Sequence, residues 1–461
     1  MSDRAGAGAL DLAQRALAAA GGRDALATVT RERSTMLRFA RTRPTQATAV
    51  DDLTVEVAAL RAGHVGRAAT NRVDRGALED CARAAVLAAE TAAARAGAGH
   101  FPGFPAPAAS RGHGGHDPST AQLDPAAGSA ALAAAFDVAE RDGVEAGGIW
   151  TAAEGETAIA SSTGAELSDR VTDAFMKVIA TAPGGRTGYA AQTTVAAGAI
   201  EPAALAERAV AKALVAGEPA TAEPGEHTLV MEPHAVLELL SILGYTAFDG
   251  LAHAEGRGAL SGRLGTRIVS PAINLSDSPR FHATLPRAFD AEGTPKAPLP
   301  LIQDGVAHRV VHDTRSAAVA GAGTASTGHA LVAGGQASGP SPTNMVLIGG
   351  GARDEHELCA PVERGIYVTR LWYANVVRPA DTLFTAVTRD GTFLIENGEI
   401  TRPLDDVRIA DTALGILSRV EALGARSVLT SDGELYGRRF ATGAVCPPLR
   451  AHGVRVSSSA G

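Results

Sequence analysis

Two hydrophobic periodicities alternate along the first half of the chain. Residues 34–40 (STMLRFA) and 53–60 (LTVEVAAL) alternate apolar and polar positions, which is typical of half-buried strands. Apolar residues recur at helical spacing in residues 10–18 and again in residues 78–94. These patterns predict a short opening helix, two strands and a longer second helix.

Helix-capping residues and turns divide the next segment. Asp124 followed by Pro125 is a typical helix start, and the Ala-rich helix that follows is expected to end before Gly143. Residues 147–182 alternate again in three stretches separated by turn residues, and they predict an antiparallel meander. Another helix is predicted from Pro202 to Gly217, before a polar stretch at residues 221–227.

The second half of the chain is dominated by short strand patterns joined by glycine turns. It opens with a strand and a helix over residues 233–244, and a later helix is predicted over residues 412–423. Asn397-Gly398 lies between two strand patterns and predicts a hairpin. The fold class expected is α+β: an N-terminal helix and antiparallel-sheet domain (1–220), then a β-rich antiparallel C-terminal domain (221–461).

A proline-, glycine- and histidine-rich segment interrupts the first domain at about residues 97–122. Neither the helical nor the strand period survives in it. We therefore expect a flexible surface arm that is dispensable for folding.

Composition and charge exclude several classes of protein. A chain of 461 residues with 45% apolar residues is long enough and apolar enough to fold around a core. The net charge of −8 offers no field that would attract nucleic acid or an anionic membrane, and no apolar run is long enough to span one. Three widely spaced cysteines are typical of reduced thiols, so a cytoplasmic protein is expected.

Motifs that define common enzyme classes are missing from the sequence. It contains no G-x-x-x-x-G-K-[ST], no G-x-S-x-G and no paired C-x-x-C. These absences argue against a P-loop nucleotide enzyme, an α/β-hydrolase nucleophile elbow and a structural zinc site.

Two pairs of histidines are spaced closely enough in the sequence to be considered as metal ligands. His113 and His116 fall in the arm, and His308 and His312 fall on one face of a strand. In the arm no rigid third ligand lies nearby, and two strand positions four apart are separated by about 13 Å. Both pairs are therefore expected to be solvent-exposed.

Two further constellations allow more than one interpretation. His234 and Glu238 are spaced i, i+4 and would face one metal ion, but the helix around them is aliphatic, as in a core helix. Asp290 and Glu292 could form an acid–base pair. The glycine and prolines around them favour instead a turn in which Asp290 caps backbone N–H groups and Gly293 adopts positive φ.

Several segments in fixed order resemble the TldD/PmbA family, the two-subunit bacterial and archaeal metallopeptidases also called modulators of DNA gyrase. The segments are SGRLGTRIVSPAINLSDSP (261–279), FDAEGTP (289–295), LIQDGV (301–306), STGHA (326–330), SPTN (341–344), ERGIYVTRLWY (363–373) and FLIENGEITRP (393–403).

The resemblance also implies which kind of subunit this is. In the TldD kind, the helix after the strand that opens the C-terminal half carries His-Glu-x-x-x-His, and a cysteine near the C-terminus completes the zinc site. Here the corresponding helix, residues 233–244, lacks that motif, and Cys446 stands in a different context. The chain is thus similar to the TldE/PmbA kind, which implies no catalytic or metal-ligating residues and no cofactor of its own.

The function implied is that of a non-catalytic subunit that completes the peptide cleft of a zinc-bearing, TldD-like partner. The alternatives are a self-sufficient metal-dependent hydrolase built on His234 and Glu238, and a stand-alone peptide-binding or scaffold protein. The residues expected to contact a peptide or protein substrate are Asp290, Glu292, Gly293, Asn344, Trp372 and Tyr373.

Overall fold

A computed structural model describes residues 8–96, 99–433 and 437–459. The α-helices are α1 (Ala9–Ala19), α2 (Arg75–Ala96), α3 (Pro125–Arg141), α4 (Pro202–Ala213), α5 (Pro233–Thr246), α6 (Gly250–Ala254), α7 (Thr314–Ala320), α8 (Glu355–Cys359) and α9 (Ala413–Ser418). The strands of the first half are β1 (Ala25–Ala40), β2 (Arg43–Arg61), β3 (His64–Thr70), β4 (Glu145–Ser161), β5 (Glu166–Thr181) and β6 (Thr187–Thr194). Those of the second half are β7 (Gly225–Met231), β8 (Leu275–Asp277), β9 (Leu299–Gln303), β10 (Val306–Ala307), β11 (Met345–Leu347), β12 (Arg364–Arg378), β13 (Leu383–Glu396), β14 (Glu399–Pro403), β15 (Val407–Thr412), β16 (Val420–Leu423), β17 (Val428–Thr430), β18 (Ala444–Cys446) and β19 (Leu449–Ser459).

The first half forms one antiparallel sheet in the order β3-β2-β1-β4-β5-β6. Helices α1 and α2 pack against one face of this sheet, where they contact Ala25, Ala27 and Val29 of β1. Leu26 of the same strand belongs to a separate cluster that includes residues of the C-terminal half. Alternate residues of a strand point to opposite faces, so the period-two pattern fixes which side meets the helices. The predicted meander is confirmed, except that β4 continues through Gly155, where a turn was expected.

The capping prediction at the start of α3 is confirmed. The Asp124 side chain accepts a hydrogen bond from the Ala126 N–H, and Pro125 occupies the first helical turn. Together, α3 and α4 bury their apolar faces against β4, β5 and β6. They complete the helical layer on this half of the molecule.

The second half combines a six-stranded sheet with a barrel. The middle sheet has the order β10-β9-β8-β11-β18-β17. Strands β12, β7, β19, β15 and β13 pair in sequence, and β13 pairs back to β12, which closes the barrel. The α+β class with a β-rich second half is confirmed. Within this mostly antiparallel half, the pairs β7–β12 and β11–β18 are parallel.

Two local predictions in this half have different outcomes. Asn397 and Gly398 connect β13 to β14 with φ of 51° and 84°, which confirms the hairpin. The helix expected over residues 412–423 is α9 only as far as Ser418. The chain beyond it is strand β16, because it pairs with β19.

Helix α5 lies between the barrel and the middle sheet. It contacts β7 and β12 on one side and β17 and β18 on the other. This central position explains why the helix is apolar around most of its circumference, with Leu239, Leu240 and Leu243 fully buried. No helix in the described parts of the chain combines the length and the hydropathy that a membrane span needs.

The proline- and glycine-rich arm is anchored by two aromatic side chains. Residues 97 and 98 lie outside the described residues, and most of the rest of the arm has no regular structure. Phe101 and Phe104 contact each other edge to face at 5.2 Å and are only 3% and 7% exposed, in a cluster with Leu26 and Phe289. The expectation that the arm has no apolar anchor is therefore wrong. This anchor argues against the expected dispensability for folding, and the arm's flexibility stays a prediction.

The histidines expected at the surface are mostly buried or paired. His113 Nε2 lies 2.8 Å from Asp169 Oδ1, and His116 Nε2 lies 3.1 Å from Glu154 Oε1. His312 is 7% exposed and its Nδ1 contacts Ser316 Oγ at 3.2 Å. Spacing along the chain could not predict these contacts, because each carboxylate partner of the arm comes from a distant strand.

Candidate functional site

The first candidate region is a cleft beside α5, which we call the helix cleft. It has a volume of about 320 Å³ and lies between α5, the loops around Ser341 and Thr442, and strand β5. The α5 residues that line it are Leu237, Ser241 and Gly244. This is the helix on which the sequence resemblance places the zinc motif of the other subunit kind.

These residues do not fit a zinc ion. Catalytic zinc needs three protein ligands drawn from histidine, cysteine and carboxylates. The cleft side of α5 instead presents an isobutyl group, a hydroxyl and a glycine. Within the described residues, no group of three or more histidine, cysteine or acidic side chains is arranged to hold a metal ion.

Cys446 also does not fit a zinc ligand. It is fully buried on β18, and its Sγ donates a weak hydrogen bond to the Pro233 carbonyl at 3.4 Å. Burial raises the pKa of the Cys446 thiol to about 12. Because zinc binds the thiolate, a thiol that stays protonated at neutral pH is a poor ligand.

His234 and Glu238 are in surroundings that disfavour a cation. His234 packs edge to face on Tyr189 at 5.1 Å, and burial lowers its pKa to about 3, with Lys212, Arg208 and Arg370 lowering it further. Burial, together with the nearby Asp432 charge, raises the pKa of Glu238 to about 8. Cationic side chains near the His234 imidazole would repel a divalent metal ion, so binding there is electrostatically unfavourable.

A second, larger cleft opens between two sheet edges, and we call it the edge cleft. Its volume is about 800 Å³, and its walls include residues 190–196 along β6 and residues 427–430 along β17. Each of these strands is the terminal strand of its sheet. The cleft therefore presents strand-edge backbone of the kind that an extended peptide can pair with.

The DxEG segment forms a buried turn, as the local sequence favoured. Asp290 Oδ1 accepts hydrogen bonds from the Glu292 and Thr294 N–H groups, and Gly293 has φ of 81°. Glu292 is 1% exposed and accepts from the Thr314 and Gly334 N–H groups. Asp290 also lines a cavity described below. Glu292 connects the segments of Thr314 and Gly334 through its two buried hydrogen bonds.

Sequence reasoning missed a buried ionic cluster next to this turn. Asp277 Oδ1 lies 3.4 Å from Lys296 Nζ and 3.2 Å from His329 Nε2, and all three side chains are at most 2% exposed. Although burial alone would raise the pKa of Asp277, the Lys296 and His329 side chains hold it below its usual range. Asp277 and His329 lie in segments that carry the family resemblance, and Lys296 directly follows one, but the sequence does not show that the three residues pair.

Asn344 belongs to the same cluster. Its backbone N–H donates to Asp277 Oδ2 at 2.8 Å, and its Nδ2 donates to the Leu285 carbonyl at 2.7 Å. At 1% exposed, it fixes the loop that runs beside the helix cleft. Its predicted contact with substrate remains a prediction.

Trp372 and Tyr373 lie elsewhere, on the distal part of β12. Trp372 is half-buried, with the Arg370 guanidinium 4.7 Å from its ring centroid. Tyr373 has φ of 50° at an irregularity in the β12–β13 register and is 72% exposed. Neither residue lines the helix cleft or the edge cleft. The structure thus does not bring the six predicted residues into one site.

Two domain models of one protein family match this chain. Residues 224–458, more than half of the chain, match the PmbA/TldA metallopeptidase C-terminal domain, and residues 118–216 match the central domain of the same family. The chain belongs to the PmbA/TldA metallopeptidase family. The expectation drawn from the ordered sequence segments is confirmed.

A solved structure shares this fold over nearly the whole chain. The crystal structure of TldE from Thermococcus kodakarensis matches 97% of this chain and 100% of that chain with a TM-score of 0.83, at 20% sequence identity. At this identity the likeness describes the fold, which is TldE-like.

Two curated relatives match only part of the chain. A metalloprotease of Methanothermobacter thermautotrophicus is 26% identical over 205 residues, 44% of this chain and 43% of that protein. A metalloprotease TldD homolog of Haemophilus influenzae is 24% identical over 249 residues, 53% of this chain and 50% of that protein. The matches thus span about half the length of these relatives.

Proposed function

We propose that this chain is the non-catalytic, TldE/PmbA-like subunit of a cytoplasmic heterodimeric zinc metallopeptidase. In this proposal it completes the peptide-binding cleft of a TldD-like partner, which carries the zinc. The chain itself holds no cofactor and supplies no catalytic residue.

The observation that carries the proposal is the cleft face of α5. Hydrolysis by zinc needs fixed ligands, an open position for water and a base that accepts its proton. Leu237, Ser241 and Gly244 supply none of these at the position where the family resemblance expects them. A chain that keeps the family fold without these groups is expected to act on a neighbouring subunit.

The edge cleft supports a role in holding peptide. Strand edges bind extended peptides through main-chain hydrogen bonds, which accept many side-chain sequences. The backbone of β6 and β17 borders a volume of about 800 Å³, and Thr193 and Ser431 link the two edges at 2.9 Å. The substrates expected for such main-chain recognition are unfolded peptides or precursor peptides.

The exposed end of β12 is our candidate contact surface for the partner subunit. Tyr373 is 72% exposed and Val377 is 59% exposed on the same strand. Aromatic residues are enriched in the cores of protein interfaces, and stable heterodimers bury more than about 2,000 Å² in total. Tyr373→Ser is therefore expected to weaken association, while Ile400→Ser, an exposed apolar residue on β14, serves as the matched control.

Metal analysis of the purified chain tests the non-catalytic assignment. We expect far less than one zinc per chain after expression in zinc-supplemented medium, and no peptide hydrolysis. A ratio near one zinc per chain, with hydrolysis abolished by a chelator and by Glu238→Gln, would favour the self-sufficient hydrolase instead.

A further inference from the structure

A cavity of about 150 Å³ lies where the N-terminal sheet meets the C-terminal half, and we call it the junction cavity. Strands β1, β4 and β5 form one wall, and loops of the C-terminal half form the other. Its charged lining residues are Arg31, Glu32, Glu154, Asp169, Asp173, Arg287, Asp290, Lys296, Arg438 and Arg439. The lining thus contains five acidic and five basic residues, and how each is paired decides what the cavity can bind.

The carboxylates of the lining already have hydrogen-bond donors. Glu154 accepts from Arg33 and His116, and Asp169 accepts from His113. The other three are satisfied as well: Asp173 by Arg439, Glu32 by the Ser34 hydroxyl and the Arg439 N–H, and Asp290 by three backbone N–H groups. Little acceptor capacity is left for a cationic ligand.

The cations divide into two groups. Arg31 is paired with Asp51, Arg439 with Asp173 and Lys296 with Asp277. The remaining two cations, Arg287 and Arg438, have no carboxylate within 4.0 Å in the described parts of the chain. These two guanidinium groups are therefore the cations of the lining that have no ion-pair partner at this distance among the described residues.

Arg287 in particular has unused donor capacity. Its guanidinium lies 3.7 Å from the centroid of the Phe440 ring, and its Nη2 donates to the Ala441 carbonyl at 2.9 Å. Its Nε is buried without a hydrogen-bond partner among the described residues. Burial lowers the pKa of Arg287 to about 10; Asp169 and Asp173 partly oppose this, and Arg438 adds to it. An anion between the two guanidinium groups would relieve their repulsion and satisfy the buried donor.

The remaining wall is apolar and the space is small. Phe289, Phe440 and Val171 line the cavity beside the two arginines. A volume of about 150 Å³ is enough for a benzene-sized group. Phe440 and Arg438 are exposed, so the cavity can be reached from solvent on that side.

We propose that the junction cavity binds a small organic carboxylate with an apolar body. The carboxylate lies between Arg287 and Arg438, and the apolar body contacts Phe289, Phe440 and Val171. This site adjoins the helix cleft, with which it shares Asp173, Arg439, Phe440 and Ala441, and it shares no lining residue with the edge cleft. The proposal does not depend on whether the chain has a peptidase partner.

Calorimetric titration of the full chain with benzoate tests the proposal. We expect a dissociation constant below about 1 mM, with benzamide and inorganic phosphate binding at least tenfold more weakly. Benzamide keeps the ring without the charge, and phosphate keeps the charge without the ring. Phosphate binding as tight as that of benzoate would contradict the apolar part of the site.

Two variants locate the binding. Arg438→Gln changes an exposed residue whose Nη2 contacts Thr30 at 2.9 Å, so the fold should survive, and benzoate affinity should fall at least tenfold. Arg287→Gln should have the larger effect, provided that its melting temperature stays near that of the wild type. Arg309→Gln, an exposed arginine outside the cavity, is the control. No benzoate binding, or equal binding by the wild type and Arg438→Gln, would overturn the proposal.

Discussion

At the scale of single residues, the most consequential group is the Asp277 carboxylate. It is fully buried, it faces Lys296 and His329, and its second oxygen accepts two backbone N–H groups from Thr343 and Asn344. Buried ions persist only when they are paired and hydrogen-bonded, so each member of this cluster depends on the others. The cluster ties strand β8 to three loops of the C-terminal half.

Asp277→Asn is therefore expected to lower the free energy of unfolding by about 3–5 kcal/mol, because it leaves the Lys296 ammonium without its counter-charge. Urea unfolding followed by circular dichroism measures the change. Asp381→Asn is the matched control: Asp381 lies 3.0 Å from Arg378, and both side chains are at least half exposed, so the loss should stay below about 1 kcal/mol. Equal losses in the two variants would show that the buried cluster has no special role.

His234 gives stability a dependence on pH. Its folded-state pKa, about 3, lies below the usual value of 6.5 because the ring is buried. Below pH 6.5 the unfolded chain takes up a proton that the folded chain does not, so stability present above this pH is lost as the pH falls toward 3. From pH 7.5 to pH 5 the contribution of His234 is about 1–2 kcal/mol.

His234→Phe keeps the edge-to-face contact with Tyr189 and removes this titration. The variant should lose about 1–2 kcal/mol less than the wild type between pH 7.5 and pH 5 in urea unfolding experiments. His356→Phe, at an exposed position, should follow the wild-type profile. Parallel profiles for the wild type and His234→Phe would contradict the assignment.

At the scale of elements, the sequence predicts what depends on local pattern. Helices with a helical period and a proline in the first turn, such as α3 and α5, are found where expected, because both signals act within one element. The Asn397-Gly398 hairpin is found for the same reason. Local pattern also located the DxEG turn, whose capping bonds lie within five residues.

Features that depend on distant partners were not predicted. The barrel closes because β7 pairs in parallel with β12 and antiparallel with β19, more than 100 residues away in each case, and hydrophobic periodicity carries no information about register at that distance. The arm is anchored by Phe101 and Phe104 in a cluster that includes Phe289. The junction cavity has the same origin, since its unpaired arginines face strands from the other half of the chain.

The anchored arm makes a testable contribution to stability. Phe101→Ala and Phe104→Ala each remove a buried ring and should lower the free energy of unfolding by about 3 kcal/mol, with a clear drop in melting temperature. Ala108→Ser changes an exposed arm residue and should leave the melting temperature nearly unchanged. If all three variants melt with the wild type, the arm contributes nothing to the core and the original expectation of dispensability would be restored.

At the scale of the whole molecule, the chain combines the PmbA/TldA fold with an α5 surface that is unsuited to zinc. A subunit of this kind can contribute to hydrolysis by supplying peptide-binding edges and by enclosing a partner's active site. We therefore propose that the functional unit is an assembly, with the edge cleft and the exposed end of β12 as the surfaces involved.

The central claim is that activity requires two different subunits, and peptide hydrolysis by a reconstituted mixture tests it most directly. The chain is co-expressed with a zinc-bearing TldD-like subunit, the complex is isolated, and the rate of peptide cleavage is compared with that of each subunit alone. The account predicts a stable 1:1 complex whose rate exceeds that of either subunit alone by at least tenfold. Equal cleavage by the zinc subunit alone, with no complex detected by mass measurement, would contradict it.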